Sequence, residues 1–154
     1  MEEKEKFGPD DIFFMRITDK NSIKKVLLDF NDRLPPLQGE EGYVDSVSDK
    51  IAKNGIALCM LLKNTIIGFF TMYANDHENR KAFISFIAVD SSYRAAGYGT
   101  MLLKKAVQTA KENNMELMKL EVLKDNVIAQ NFYKKHGFYT IGESENSIYL
   151  AKKL

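Results

Sequence analysis

Arg94, Gly97 and Gly99 form an R-x-x-G-x-G spacing inside the stretch Val89-Asp90-Ser91-Ser92-Tyr93-Arg94-Ala95-Ala96-Gly97-Tyr98-Gly99-Thr100. A strand-like run precedes this stretch and a helix-like run follows it. Small residues at such a junction let backbone N–H groups converge on one point, and a helix N-terminus adds about half a positive charge there. The chemistry implied is a socket for a phosphate or pyrophosphate. A Walker-type nucleotide loop is rejected, because Thr100 follows Gly99 with no lysine between them. A dinucleotide loop needs a third glycine where Leu102 stands. A tight strand-to-helix turn without a ligand is the plain alternative.

Other residues that could do chemistry are scattered. Asp29, Asp32, Asp76, Glu78 and Glu121 are candidate carboxylates. The segment Phe83-Ile84-Ser85-Phe86 carries no carboxylate, and Ser85 could order a water but could not itself act as a base. Asp29, Asn31 and Asp32 flank Pro35-Pro36 and could hold a cationic amine or sugar hydroxyls; a plain helix stop explains that segment equally. Cys59 sits in an apolar run and reads as a buried small hydrophobe. His77 and His136 have polar neighbours and read as surface residues. With two histidines and one cysteine at unrelated spacings, no metal site is expected.

The elements that must position these residues follow from periodicity. Residues 1–11 read as a flexible tail, and 12–154 as a single domain. Strands are predicted over Ile12–Ile17, Ile56–Lys63, Ile66–Tyr73, Ala82–Val89, Met118–Leu123, Phe138–Gly142 and Ser147–Ala151. Helices are predicted from Asp19 towards Pro35, near Tyr43–Lys53, from the glycine-rich loop to about Asn113, and over Asn126–His136. The order β-α-α-β-β-β-α-β-α-β-β implies an α/β fold with a mixed sheet. Its β-α-β unit requires a parallel pair, and ligands in such sheets sit outside the carboxyl ends of the strands.

A second motif narrows the ligand. Asn126 to Phe138 spells N-x-x-A-x-x-F-Y-x-x-x-G-F. Together with the first motif and the element order, it resembles the GNAT superfamily of acyl-CoA-dependent N-acyltransferases. The resemblance covers nearly the whole chain. It implies acetyl-CoA as acyl donor and an amine acceptor, attacked directly in a ternary complex. It places the pyrophosphate on Arg94, Ala95, Ala96, Gly97, Tyr98, Gly99 and Thr100. The pantetheine arm would run along Ile87, Ala88 and Val89, between two parallel strands that splay apart. Asn126 and Ala129 would lie at the cofactor, and Tyr133 near the thioester sulfur as general acid. Many members place a glutamate near the strand that ends at Val89. None is present here, so Glu121 is the first alternative, with Ser85 as a water-ordering group. The expected acceptor is a small amine, with an amino sugar as one case. A protein N-terminus or lysine, or a non-catalytic acyl-CoA sensor, are the other readings. The last strands often support homodimers in the family.

Bulk composition agrees. The 154 residues suit one core, and charges nearly cancel at +1, so no basic field for nucleic acid exists. The charged start and the lack of a long apolar run exclude a signal peptide and a membrane span, and the expected location is cytoplasmic.

Overall fold

The computed structural model describes residues 4–6, 11–30, 41–94 and 96–154, with the backbone alone for 4–6. Its elements are β1 Lys4–Lys6, β2 Ile12–Ile17, α1 Lys20–Asp29, α2 Glu41–Asn54, β3 Ile56–Leu62, β4 Thr65–Asp76 and β5 Lys81–Val89. After a single 3-10 turn at Ser91–Tyr93 come α3 Tyr98–Glu112, β6 Leu117–Leu123, α4 Val127–Lys135, β7 Tyr139–Glu143 and β8 Ser147–Lys153. The strands form one sheet in the order β1-β2-β3-β4-β5-β6-β8-β7. The predicted fold class and element order hold, with one correction. The expected tail contains β1, which pairs antiparallel with β2 from Lys4↔Met15 to Lys6↔Phe13. Its alternating charges carry no apolar signal, so only backbone pairing reveals it.

Each face of the sheet buries its own cluster. On one face, Leu102, Leu103, Ala106 and Ala110 of α3 and Tyr133 of α4 pack on Phe14, Met60, Phe70, Met118, Leu120 and Leu150. On the other, Ile23, Val26 and Leu27 of α1 and Val44 and Ile51 of α2 pack on Ala57, Cys59, Leu61 and Phe69. Cys59 is fully buried, as expected. Asp19 caps α1 by accepting from the Ser22 N–H at 2.9 Å, and Lys20 and Lys24 both reach Asp45 of α2. Lys63 and Asn64 have φ of 48° and 68°, a two-residue turn whose twist suits the β3–β4 hairpin.

The parallel pair β5–β6 is joined only at one end. Its register runs Lys81↔Leu117, Ala82↔Met118, Phe83↔Lys119 and goes no further, although β5 continues to Val89. Arg80 pins that closed end. Its carbonyl accepts from the N–H groups of Glu116 and Leu117, its Nε donates to the Asn114 carbonyl at 2.7 Å, and its guanidinium pairs with Glu116. Beyond Phe83, β5 bulges. Met72 pairs with Ile84 and Thr71 with Phe86, so Ser85 is an extra residue. A bulge bends its strand and raises the local twist, which turns β5 away from β6. It also reverses the alternation: Ala82 and Ile84 face the α3 side, whereas Ala88 faces the α1–α2 side.

Gly68 lets β4 approach the end of β5. A Cβ there would come within 2.9 Å of the Ala88 carbonyl oxygen. Gly68→Ala is therefore expected to destabilise the fold by about 1–3 kcal/mol through overpacking. Urea unfolding checks this, and an unchanged midpoint would contradict the close approach.

Candidate active site

The parted ends of β5 and β6 open at the glycine-rich loop. Asp90 begins that loop by accepting from the Ser92 N–H at 2.9 Å, and its own N–H donates to the Ile67 carbonyl at 2.7 Å. The loop is thus tied to β4 on one side while its far end is free to present amides. Gly97 stands at the start of α3 with φ of +84°, a left-handed conformation that favours glycine. No side chain caps α3, whereas Asp19 caps α1 and Asn126 caps α4. The first intrahelical bond is Met101 N–H to the Gly97 carbonyl. The N–H groups of Tyr98, Gly99 and Thr100 therefore have no intrahelical acceptor. A Cβ on Gly99 would meet only the Phe132 ring, at 3.6 Å, so the protein itself does not require glycine there. Arg94 and Ala96 are exposed, and Ala95 lies outside the described residues.

Helix α4 forms the other wall. Asn126 accepts from the Ala129 N–H at 3.1 Å, so its side-chain oxygen serves as the helix cap. Gln130, which sequence reasoning passed over, is buried and donates to the carbonyls of Leu123 and Lys124 at 3.1 and 2.8 Å. It ties the end of β6 to α4 and so fixes the lip of the opening. Its one-turn spacing from Tyr133 on an apolar face was the available signal. Tyr133 is buried between the rings of Phe132 and Phe138. Its hydroxyl has no hydrogen-bond partner among the described residues, and burial pushes its ionisation far above that of a free phenol.

His136 overturns the surface expectation. Its Nδ1 lies 2.8 Å from the Phe132 carbonyl and its Nε2 lies 3.2 Å from Thr100 Oγ1. His77 is exposed, as expected.

Ser85 and Glu121 lie on the α1–α2 side of the sheet. Ser85 Oγ is 2.7 Å from Thr71 Oγ1, making a hydroxyl pair in the bulge. Glu121 is exposed on the face opposite Leu120 and Val122, in register with Tyr149. The sheet thus places Ser85 and Glu121 on one side of the opening and Tyr133 on the other. Asp29 pairs with Lys25 at 2.8 Å on the outer surface of α1, away from this group. Asn31 and Asp32 lie outside the described residues. Asp76 accepts from the Asn79 N–H and builds the β4–β5 turn. Among the described residues no cluster of His, Cys, Asp and Glu could hold a metal, and no helix is long and apolar enough to cross a membrane.

Comparison with known proteins places this geometry. Streptothricin acetyltransferase A of Bacillus subtilis is 40% identical over 93 residues, which are 60% of this chain and 52% of that protein. The chain thus spans about half the length of these curated relatives. A Bacillus anthracis protein described as a streptothricin acetyltransferase, solved with acetyl coenzyme A, is 38% identical. The match covers 66% of this chain and 63% of that one, with a TM-score of 0.59. An IAA acetyltransferase from Bacillus cereus covers 93% of this chain and 99% of its own at a TM-score of 0.73; at 21% identity it shows the shared fold. Residues 24–138 match the acetyltransferase (GNAT) family, and the chain belongs to that family.

Proposed function

We propose that this protein transfers the acetyl group of acetyl-CoA to a primary amine of a small molecule. The observation that carries the reading is the half-joined β5–β6 pair with the uncapped start of α3 at its mouth. The free amides of Tyr98, Gly99 and Thr100 suit the two phosphates, and Arg94 adds a charge beside them. Beyond Phe83, the β6 side of β5 has backbone groups without strand partners. An extended amide-bearing arm can pair with Ile87, Ala88 and Val89 as an added strand. A backbone N–H there would polarise the thioester carbonyl, worth roughly 3 kcal/mol.

The amine nitrogen attacks that carbonyl, the C–S bond breaks with its electron pair on sulfur, and nitrogen sheds its proton to the protein while coenzyme A leaves as the thiolate. An alkylammonium costs about 4–5 kcal/mol to deprotonate at pH 7. The Thr71–Ser85 hydroxyl pair can hold a water that relays this proton, with Glu121 across the opening as its sink. On the other side, Tyr133 donates a hydrogen bond to sulfur. Its raised ionisation makes it a poor acid, and an alkyl thiolate leaves without full protonation, so a hydrogen bond suffices. Small-molecule specificity is supported by the streptothricin acetyltransferase relatives.

Thiol release measured against a panel of small amines and peptides tests the reading. Turnover is expected on a small primary amine. Acetyl-CoA binding without turnover on any amine would favour a sensor instead. Gly99→Glu should fold normally and abolish acetyl-CoA binding by calorimetry, whereas Gly99→Ala should leave stability unchanged or raise it by up to about 1 kcal/mol.

Tyr133→Phe should lower kcat about 10²-fold and leave stability unchanged or raised by about 1 kcal/mol, since it removes an unpartnered buried hydroxyl. Its pH dependence has a definite sign. The folded state keeps the phenol proton above pH ~10 while the unfolded state loses it, so this group's contribution to stability falls as pH rises past ~10. Unfolding curves at alkaline pH should show a shallower loss in Tyr133→Phe than in the parent chain.

A further inference from the structure

The geometry points to His136 as a positioning residue for the donor: it turns the Thr100 hydroxyl into a phosphate donor by taking up a proton when acetyl-CoA binds. This rests on the donor seat assigned above and concerns how that seat is completed.

The hydrogen bonds fix the tautomer. A carbonyl oxygen only accepts, so Nδ1 carries the hydrogen directed at the Phe132 carbonyl, 2.8 Å away. In the neutral ring, Nε2 then holds a lone pair, and the Thr100 hydroxyl 3.2 Å away must donate to it. Thr100 is the third residue of α3, and its own N–H is one of the free amides of the helix start. With its hydroxyl hydrogen committed to His136, Thr100 can show a ligand only oxygen lone pairs. Those repel a phosphate oxygen. Protonation of Nε2 reverses the bond: Nε2–H donates to Thr100 Oγ1, and the threonine hydrogen is released towards the seat. The resulting chain, imidazolium to hydroxyl to phosphate, places each donor on an acceptor, and the phosphate charge favours the imidazolium.

The surroundings make this change depend on the ligand. His136 ends α4 after Lys134 and Lys135, which lie in its last turn. From β8, Lys152 donates to the His136 carbonyl at 2.9 Å. From α3, Lys104 follows Thr100 by one turn. Arg94 stands in the loop. No carboxylate is hydrogen-bonded to the imidazole among the described residues. The acidic groups of these elements are Glu112, three turns along α3 from Thr100, and Asp90, which accepts from the Ser92 N–H; the named cations otherwise leave the place for negative charge to an arriving anion. The Phe132 ring stacks on the imidazole with centroids 4.6 Å apart and also lies under Gly99. The same contact thus holds the helix bearing Tyr133 against the glycine-rich loop.

The test is calorimetric titration of acetyl-CoA into the whole protein, at several pH values and in buffers of different ionisation enthalpy. The expected result is proton uptake on binding, with affinity rising as pH falls. Thr100→Val and His136→Phe should each weaken binding about tenfold and abolish proton uptake, and the double variant should be no weaker than either. His136→Gln places a permanent amide donor near Nε2; it should keep most of the affinity and lose its pH dependence. If the parent chain binds with no proton exchange while Gly99→Glu still abolishes binding, the switch is wrong and the seat stands. If Gly99→Glu binds normally, the seat is wrong and the switch falls with it. Proton uptake that persists in both His136→Gln and Thr100→Val would also overturn the proposal.

Discussion

Everything in this molecule depends on two parallel strands that begin to pair and then stop. A β-sheet satisfies backbone N–H and C=O groups by pairing, and abandoning a central ladder leaves groups that water or a ligand must satisfy. Here the ladder between β5 and β6 ends at Phe83 and Lys119. The gap is held open on purpose from both ends. Arg80 joins the closed end by backbone, side-chain and ionic contacts. Gln130 holds the open end by bonding the last carbonyls of β6 to α4. Between them the bulge at Ser85 supplies the bend. Removing any one of these would let the strands close or drift, and the arm-binding edge would lose its geometry.

The same gap explains the placement of the helices. A crossover between parallel strands must return over one face, so α3 starts where β5 ends. Its N-terminal amides therefore arrive at the mouth of the opening without further design. Because the loop before it spends Asp90 on its own turn and offers Gly97 at the cap, those amides stay available. Helix α4 then closes the other wall and carries Tyr133 and His136 one turn apart, Tyr133 buried in the apolar core and His136 against Thr100 of α3.

Much of this was legible in the chain. The two motifs, the β-α-β unit and the α/β order all follow from spacing and periodicity, because Gly97 and Gly99 mark the loop and Phe132-Tyr133 mark the wall. The splay was expected from the resemblance, and its cause was not legible. A bulge is a mismatch between two strands, and Phe83-Ile84-Ser85-Phe86 read alone alternates like any strand. Ser85 could be named but its place in the bulge could not be read, since that depends on the register with β4. His136 was misread because its neighbours Lys135 and Gly137 are polar or small. Its partners, Thr100 and the Phe132 carbonyl, belong to a contact between helices that no local pattern encodes. Strand β1 was missed because Lys4-Glu5-Lys6 carries no apolar alternation.

In the proposed reaction, proton traffic divides between the two faces of the sheet. A regular ladder continued from Met72↔Ile84 would set Ser85 opposite Thr71; the bulge moves the backbone partner of Thr71 on to Phe86 and still keeps the Ser85 and Thr71 hydroxyls 2.7 Å apart, on the face shared by Glu121. The proton leaving an amine then departs into a partly wet, polar face, where a relay through hydroxyls is inexpensive. The hydrogen bond to sulfur comes from the opposite, apolar face, where Tyr133 is dry and holds its proton. Placing the two groups on opposite faces of one sheet keeps them from exchanging the proton directly. In this reading the ammonium must still lose one proton before it attacks, at the cost of about 4–5 kcal/mol, and the relay towards Glu121 carries that proton as well as the one the positively charged adduct nitrogen sheds. The absence of a carboxylate from Phe83-Ile84-Ser85-Phe86 is therefore compatible with acyl transfer.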